Sequence, residues 1–274
     1  MSSCSGGGGQ LAEQTATSAP APSAPAPSRF APVPVGELRG PRTAAAAARE
    51  VSEVETALRA SDAPAAGLGR RQQLAYRAIS AHPQWAEAVL ERIPAEIRSA
   101  VQANLEAGSA LSGLTGTAPP AFPQWEIRAP QPPSTLRGFY DEAEAASGIP
   151  WAYLAAIHFV ETRMGRIHGL SSAGAQGPMQ FIPETWASYG EGDIDDDYDA
   201  IQAAGRYLAS RGGPTDMDRA LFSYNNDDRY VAAVKAYASV LLADPRAYAG
   251  YHEWQVFYAT SDGTFLLPEG FTTA

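Results

Sequence analysis

One carboxylate, Glu161, arrives at the end of an apolar stretch that runs from Ile149 to Gln180 and reads IPWAYLAAIHFVETRMGRIHGLSSAGAQGPMQ. Held among Ile157, Phe159, Val160 and Met164, a carboxyl group loses hydration, which disfavours its charged form and raises its pKa toward that of a general acid. The same residue can equally end a helix as the ion-pair partner of Arg163 or Arg166, and this segment alone weighs the two readings evenly. The following loop, SSAGAQGPMQF, offers Gly174 and Gly177 for close backbone approach of a ligand. It also offers Met179 and Phe181 for apolar contact and Gln180 for a directed amide. Further on, ALFSYNN brings Tyr224, Asn225 and Asn226 to a helix junction.

Other chemistries fit less well. Asp193, Asp195 and Asp197 alternate like the start of a calcium loop, but the loop glycine and the closing bidentate Glu are missing at the required offsets, so a solvated turn and helix cap is expected and no metal. His158 and His168 flank Glu161 without any Cys or His cluster, which favours core or wall roles over zinc. No serine stands in a Gly-x-Ser-x-Gly elbow. The formal net charge of −10 disfavours a broad cationic face for nucleic acid or anionic lipid. No cofactor is implied.

The elements that must position these groups read mainly as helices. Pro150 suits a first helical position, and Trp151, Leu154, Ile157, Phe159 and Val160 give a broad buried face. A short helix over Leu136 to Ala146 precedes it, broken at Ser147 and Gly148. Residues 43–110 carry apolar residues at helical spacing, with three helices expected, broken near Ala63 to Gly69, at His82 and Pro83, and bent or capped at Pro94. Asp197 or Asp199 is expected to cap a helix over Ala200 to Ser210, and residues 218–242 read as a helix pair around Tyr224 to Asp228. From Trp254 the period changes to two, with Asp262-Gly263 as a hairpin turn. Residues 1–42, rich in Gly, Ala, Pro and Ser, read as a tail or semi-rigid linker, and 111–135 as a Pro-rich connector.

These residues and their order resemble the lysozyme-like lytic transglycosylases of the SLT type, which cleave bacterial peptidoglycan. Glu161-Thr162 matches that family's Glu-Ser motif, Gly177-Pro178-Met179-Gln180 its Gly-Leu-Met-Gln motif, and Ser223-Tyr224-Asn225 its Ala-Tyr-Asn motif. The resemblance covers about Leu136 to Tyr237, with Thr162, Pro178 and Ser223 as departures. It implies a lysozyme-like catalytic domain over 136–274, with 43–110 as a helical accessory module and a small C-terminal β-hairpin. It also implies Glu161 as the acid and then the base in a reaction that leaves 1,6-anhydro ends. Ser171, Gly177, Met179, Gln180, Phe181, Tyr224 and Asn225 would contact saccharide, and Tyr224 would bond Glu161 or the departing sugar. Membrane-bound relatives hold calcium near the position of Asp193 to Asp197, which keeps that turn a candidate. The partner implied is the glycan strand, acted on by a monomeric, exported cell-envelope enzyme of actinobacterial type. A hydrolytic muramidase and a glycan-binding module without activity are the alternatives.

Cys4, the single cysteine, rules out an internal disulfide. Followed by small residues and a Pro-rich tail, it resembles the lipid-bearing first residue of a mature lipoprotein, which would anchor the chain to the outer face of the cytoplasmic membrane.

Overall fold

The computed structural model describes residues 30–114 and 116–273, so Cys4 lies outside the described residues. A short strand, β1 (Val33–Pro34), leads through a 3-10 turn to helices α1 (Ala44–Arg59) and α2 (Leu68–Ala81). Thr43 starts α1 by accepting the Ala46 amide on its hydroxyl at 3.1 Å. Pro83 opens a second 3-10 turn, after which come α3 (Ala86–Arg92) and α4 (Ala95–Leu114). The segment therefore holds four α-helices rather than three. Ile93, placed before Pro94, is pushed to extended backbone at φ −88°, ψ 155°, and this cuts α3 from α4 instead of bending one helix.

Strand β2 (Glu126–Ile127) precedes α5 (Pro133–Ser147), which a left-handed Gly148 closes, and then α6 (Trp151–Thr162) and strand β3 (Ile167–His168). The remaining helices are α7 (Pro183–Tyr189), α8 (Asp197–Ser210), α9 (Met217–Tyr224), α10 (Asp228–Ala243) and α11 (Ala247–His252), before the hairpin β4 (Val256–Thr260) and β5 (Gly263–Leu267). Asp196 rather than Asp197 or Asp199 is the cap of α8, its Oδ1 accepting the Asp199 amide at 3.1 Å. The fold is mainly helical, as the sequence implied.

The hairpin gains a third strand. Val33 and Pro34 pair antiparallel with Leu266 and Phe265, so these two residues of the expected linker belong to a sheet of order β1-β5-β4. Proline lacks an amide to donate, which suits this edge position. The expected connector likewise supplies β2, paired with β3 through Ile127 and Ile167.

Helix α6 is the centre of the molecule. Trp151, Ala152, Leu154 to Phe159 and Thr162 are all buried, and α5, α8 and α10 pack around it. Helix α4 lies along α10, so Val51, Tyr76 and Val101 from the N-terminal helices join the same buried cluster as Leu154 and Phe159. Directed bonds tie these parts: Tyr251 donates to Asn104 Oδ1 at 2.7 Å, Trp254 Nε1 to Gln72 Oε1 at 2.8 Å, and Gln73 bonds both the carbonyl and the amide of Gln255 at 2.8 Å. The Glu253 carboxylate accepts the amides of Gly67 and Gly69 at 2.9 and 2.7 Å, capping α2 where its own residues provide no side-chain cap.

Gly69 makes that contact possible, since a Cβ there would fall 2.2 Å from the Gly250 carbonyl oxygen. Gly69→Ala is expected to destabilise the protein by about 1–3 kcal/mol through overpacking against backbone. Gly36→Ala, at a position with no atom within 4 Å, serves as the control in urea unfolding.

Candidate functional site

Glu161 lies in the last turn of α6, and the chain leaves that helix through three consecutive left-handed residues, Arg163, Met164 and Gly165, at φ 56°, 63° and 80°. Such backbone is costly for side-chain-bearing residues and persists only where surrounding contacts impose it. Thr162 supplies them: its hydroxyl donates to the Pro178 carbonyl at 2.6 Å and accepts the Gly165 amide at 3.1 Å. The helix end and the glycine-rich loop are thereby fixed to each other. Behind them the buried His158 ring bonds the Tyr140 hydroxyl through Nδ1 at 2.8 Å and has Nε2 at 3.3 Å from Asp197 Oδ1, which links α6 to α5 and α8.

Two carboxyl groups enter the core, and they are held differently. Glu55 is fully buried, ion-paired to Arg59 and bonded by Gln72 Nε2 at 3.0 Å and by the Tyr76 hydroxyl. Glu161 keeps a partly exposed edge, and its hydrogen-bond partner is the Tyr230 hydroxyl, which donates to Oε1 at 2.7 Å. Arg166 turns away to Glu269, 3.6 Å distant. The Arg163 guanidinium sits 4.6 Å over the Phe159 ring and donates to the Phe159 carbonyl at 2.5 Å. The geometry therefore gives Glu161 no ion pair with either arginine that the sequence offered. Burial pushes its pKa up to about 7, against the opposing Tyr230 hydrogen bond and Arg163 charge. A group with that pKa is populated both as acid and as base near neutrality.

Tyr230 is the residue that sequence reasoning missed. It stands in the first turn of α10, and its face continues through Val234, Tyr237 and Leu241, all buried. That periodicity marks a side packed inward, but the partner on α6 emerges only from the crossing of the two helices. Tyr224, expected to bond Glu161 or substrate, instead donates to the Met179 carbonyl at 2.6 Å, and its ring stacks on Tyr230 with centroids 6.3 Å apart and planes 5° apart. It thus supports the Tyr230 ring.

The loop residues divide in the same way. Met179 is fully buried and Phe181 only 3% exposed, packed against Trp186, Tyr207 and Tyr224, so neither presents a saccharide floor. A Cβ on Gly177 would fall 1.9 Å from the Ile194 carbonyl oxygen, so its close backbone approach is to the protein itself. Ser171 accepts the Ala173 and Ala175 amides on its hydroxyl at 3.2 and 3.0 Å, which shapes the loop. Gln180, at φ 51°, donates its amide to the Gly177 carbonyl at 2.9 Å. Asn225 ends α9 and is exposed. In the acidic turn, Asp193 Oδ1 accepts the Asp195 amide at 3.0 Å and Asp199 Oδ2 the Asp193 amide at 2.8 Å. Among the described residues no group of three or more His, Cys, Asp or Glu gathers as metal ligands.

Residues 139–242 match the family described as "Transglycosylase SLT domain". These residues, fewer than half of the chain, are similar to a transglycosylase SLT domain. The matching segment includes Glu161, Thr162, Tyr224 and Tyr230, whereas α1 to α4 and the hairpin lie outside it. The chain is also 31% identical over 134 residues to "Membrane-bound lytic murein transglycosylase F" of Thiobacillus denitrificans; the match covers 46% of this chain and 28% of that protein's length. An actinobacterial origin finds no support in this match. No solved structure matches the chain. No helix among the described residues is long and apolar enough to cross a membrane.

The raised pKa has a stability consequence of definite sign. The protonated form of Glu161 favours the folded state, so its contribution is fully present below the ordinary value of 4.5 and is lost as pH rises through about 7. Glu161→Gln is therefore expected to change the melting temperature little at acidic pH and to raise it at pH values above neutrality. Calorimetric scans across that range check this, and a constant difference at all pH values would contradict the raised pKa.

Proposed function

We propose that the protein is a peptidoglycan lytic transglycosylase in which Glu161 acts alone as acid and then base. One observation carries this reading: among the described residues, what perturbs Glu161 is burial, the Tyr230 hydroxyl and Arg163, and no second carboxylate is among those groups. Most glycosidases need two carboxyl groups, about 5–10 Å apart, one of them to act as nucleophile or to activate water. A reaction in which the substrate's own hydroxyl is the nucleophile needs one.

On this reading Glu161, protonated in part at neutral pH, donates to the glycosidic oxygen between N-acetylmuramic acid and N-acetylglucosamine. The carboxylate that remains takes the proton from the muramoyl 6-hydroxyl as that oxygen attacks the anomeric carbon. Tyr230 stabilises the charged intermediate state of Glu161 through its hydrogen bond and keeps the carboxyl oriented. The left-handed turn after Thr162 and the loop through Gln180 fix the helix end, while Ser171 and Asn225 stand at partly or fully exposed positions open to saccharide. The substrate is the glycan strand and the setting the cell envelope, a reading supported by the SLT domain and by the relative's name. Lipid attachment at Cys4 would hold the monomeric enzyme at the membrane surface.

Digestion of purified sacculi followed by mass analysis of the fragments tests the reaction. Anhydro-muramoyl ends are expected; reducing ends would make the protein a hydrolytic muramidase, and binding without release would make it a glycan-binding module. Glu161→Gln is expected to reduce turnover by about 10²–10⁴-fold, the usual worth of a positioned acid-base group. Tyr230→Phe removes a hydrogen bond that favours the carboxylate, so the pH profile should move upward with a smaller loss of rate. An unshifted profile would remove Tyr230 from this role.

A further inference from the structure

Thr162 holds the left-handed turn after Glu161 from the side of the loop, and a second set of contacts holds it from behind. The Met164 amide donates to the His158 carbonyl and the Arg163 amide to that of Phe159, both at 3.2 Å. Gly165 is laid against two side chains: a Cβ there would fall 2.7 Å from Asp197 Oδ1 and 3.3 Å from His158 Nε2. Those two atoms are themselves 3.3 Å apart and buried, and among the described residues neither has a hydrogen-bond partner of good geometry. A carboxylate can only accept, so Nε2 presents its proton to Asp197. On the other edge of the ring, Nδ1 meets the Tyr140 hydroxyl at 2.8 Å, and that hydroxyl also reaches Met164 Sδ at 3.3 Å.

The contacts therefore form a circuit. They run from Met164 through Tyr140 of α5, His158 of α6 and Asp197 of α8 to Gly165, the next residue after Met164. Tyr140, His158 and Met164 are fully buried. Helix α8 does not need Asp197 to begin, because Asp196 is its cap. Nor is Asp197 among the groups that perturb Glu161, which are burial, Tyr230 and Arg163. A buried carboxylate oxygen whose one contact is an ill-formed bond costs free energy, and backbone held left-handed at Arg163 and Met164 costs more. Both costs fall on the residues that directly follow the acid.

We propose that His158 and Asp197, with Tyr140 behind them, are positioning residues for Glu161. They hold the left-handed turn closed, and the closed turn keeps the last residues of α6 from fraying and the carboxyl out of water and against Tyr230. This inference rests on the transglycosylase reading and deepens it, since it names the groups that act on the acid through the backbone.

Two readouts test it. The first, which needs no turnover, is the ionisation of Glu161, followed by carboxyl-carbon NMR on the full chain with Glu161→Gln to assign the signal. The groups that face Glu161, namely Tyr230 from α10, Tyr224 from α9 and Arg163 from the turn, are the same in every variant. Asp197→Ala opens the turn and is expected to lower the Glu161 pKa by about one unit, from about 7 toward 4.5, as water reaches the carboxyl. Asp197→Asn keeps an acceptor for Nε2 and should show at most about half of that shift. Tyr140→Phe frees the other edge of the ring without changing any charge and should move the value the same way. The second readout is kcat per folded molecule on sacculi at pH 7. It is expected to fall about fivefold in Asp197→Ala, as the protonated fraction drops from about a half to about a tenth, with KM changed less than about twofold.

An unmoved Glu161 pKa, a rise in KM alone, or equal shifts in Asp197→Ala and Asp197→Asn overturns the proposal, the last because lost charge rather than lost position would then explain it. If Asp197→Ala does not fold, Tyr140→Phe decides, since it leaves every charge in place. A lowered Glu161 pKa without anhydro ends from sacculi would sink the reaction and leave the clamp standing; anhydro ends with an unmoved pKa would do the reverse.

Discussion

The constraint on which the structure turns is the desolvation of one carboxyl group at the end of a helix that has no exposed side. Because α6 is enclosed by α5, α8 and α10, its last turn delivers Glu161 to a point where water is scarce. The Tyr230 hydroxyl provides one hydrogen bond there, enough to orient the group and too little to offset the desolvation that raises its pKa. Glu55 shows the alternative within the same chain: a carboxyl group buried still deeper but matched by Arg59, Gln72 and Tyr76 is a structural anchor. The difference between a paired anchor and a carboxyl with a raised pKa lies in the partners.

How much of this was legible in the sequence follows from which contacts are local. Helix α6 and the placing of Glu161 could be read from Gly148, Pro150 and the apolar run, because these act within one segment. The glycine-rich loop was located but its side chains were misassigned. Met179 and Phe181 look the same on paper whether they face a sugar or a core, and the core took both. Tyr224 was singled out because it stands in a motif, whereas the hydroxyl that reaches Glu161, that of Tyr230, is set by how α10 crosses α6. The pairing of Val33 and Pro34 with β5 was invisible for a like reason: a proline-rich lead argues against a strand until an open sheet edge exists to receive it.

The N-terminal helices do not sit apart from the segment that matches the SLT family. Helix α4 runs along α10, the buried cluster is continuous across both, and polar clamps at Asn104, Gln72 and Gln73 fix the register. Polar bonds of this kind contribute modestly to stability but specify one packing, since leaving any of them unmade in the interior is costly. They hold α2 against α1, α4 and α11, where a helical module separated by a linker would have no defined place.

Glu253 caps α2 by accepting the amide of Gly69, 184 residues before it. During synthesis α2 therefore has no such cap until Glu253 has been made, and β1 has no neighbour until β5 follows. Contacts this far apart in sequence form late and slowly, since closing so long a loop precedes any gain from it. Helix α2 and strand β1 are thus among the last of the described elements to become secure.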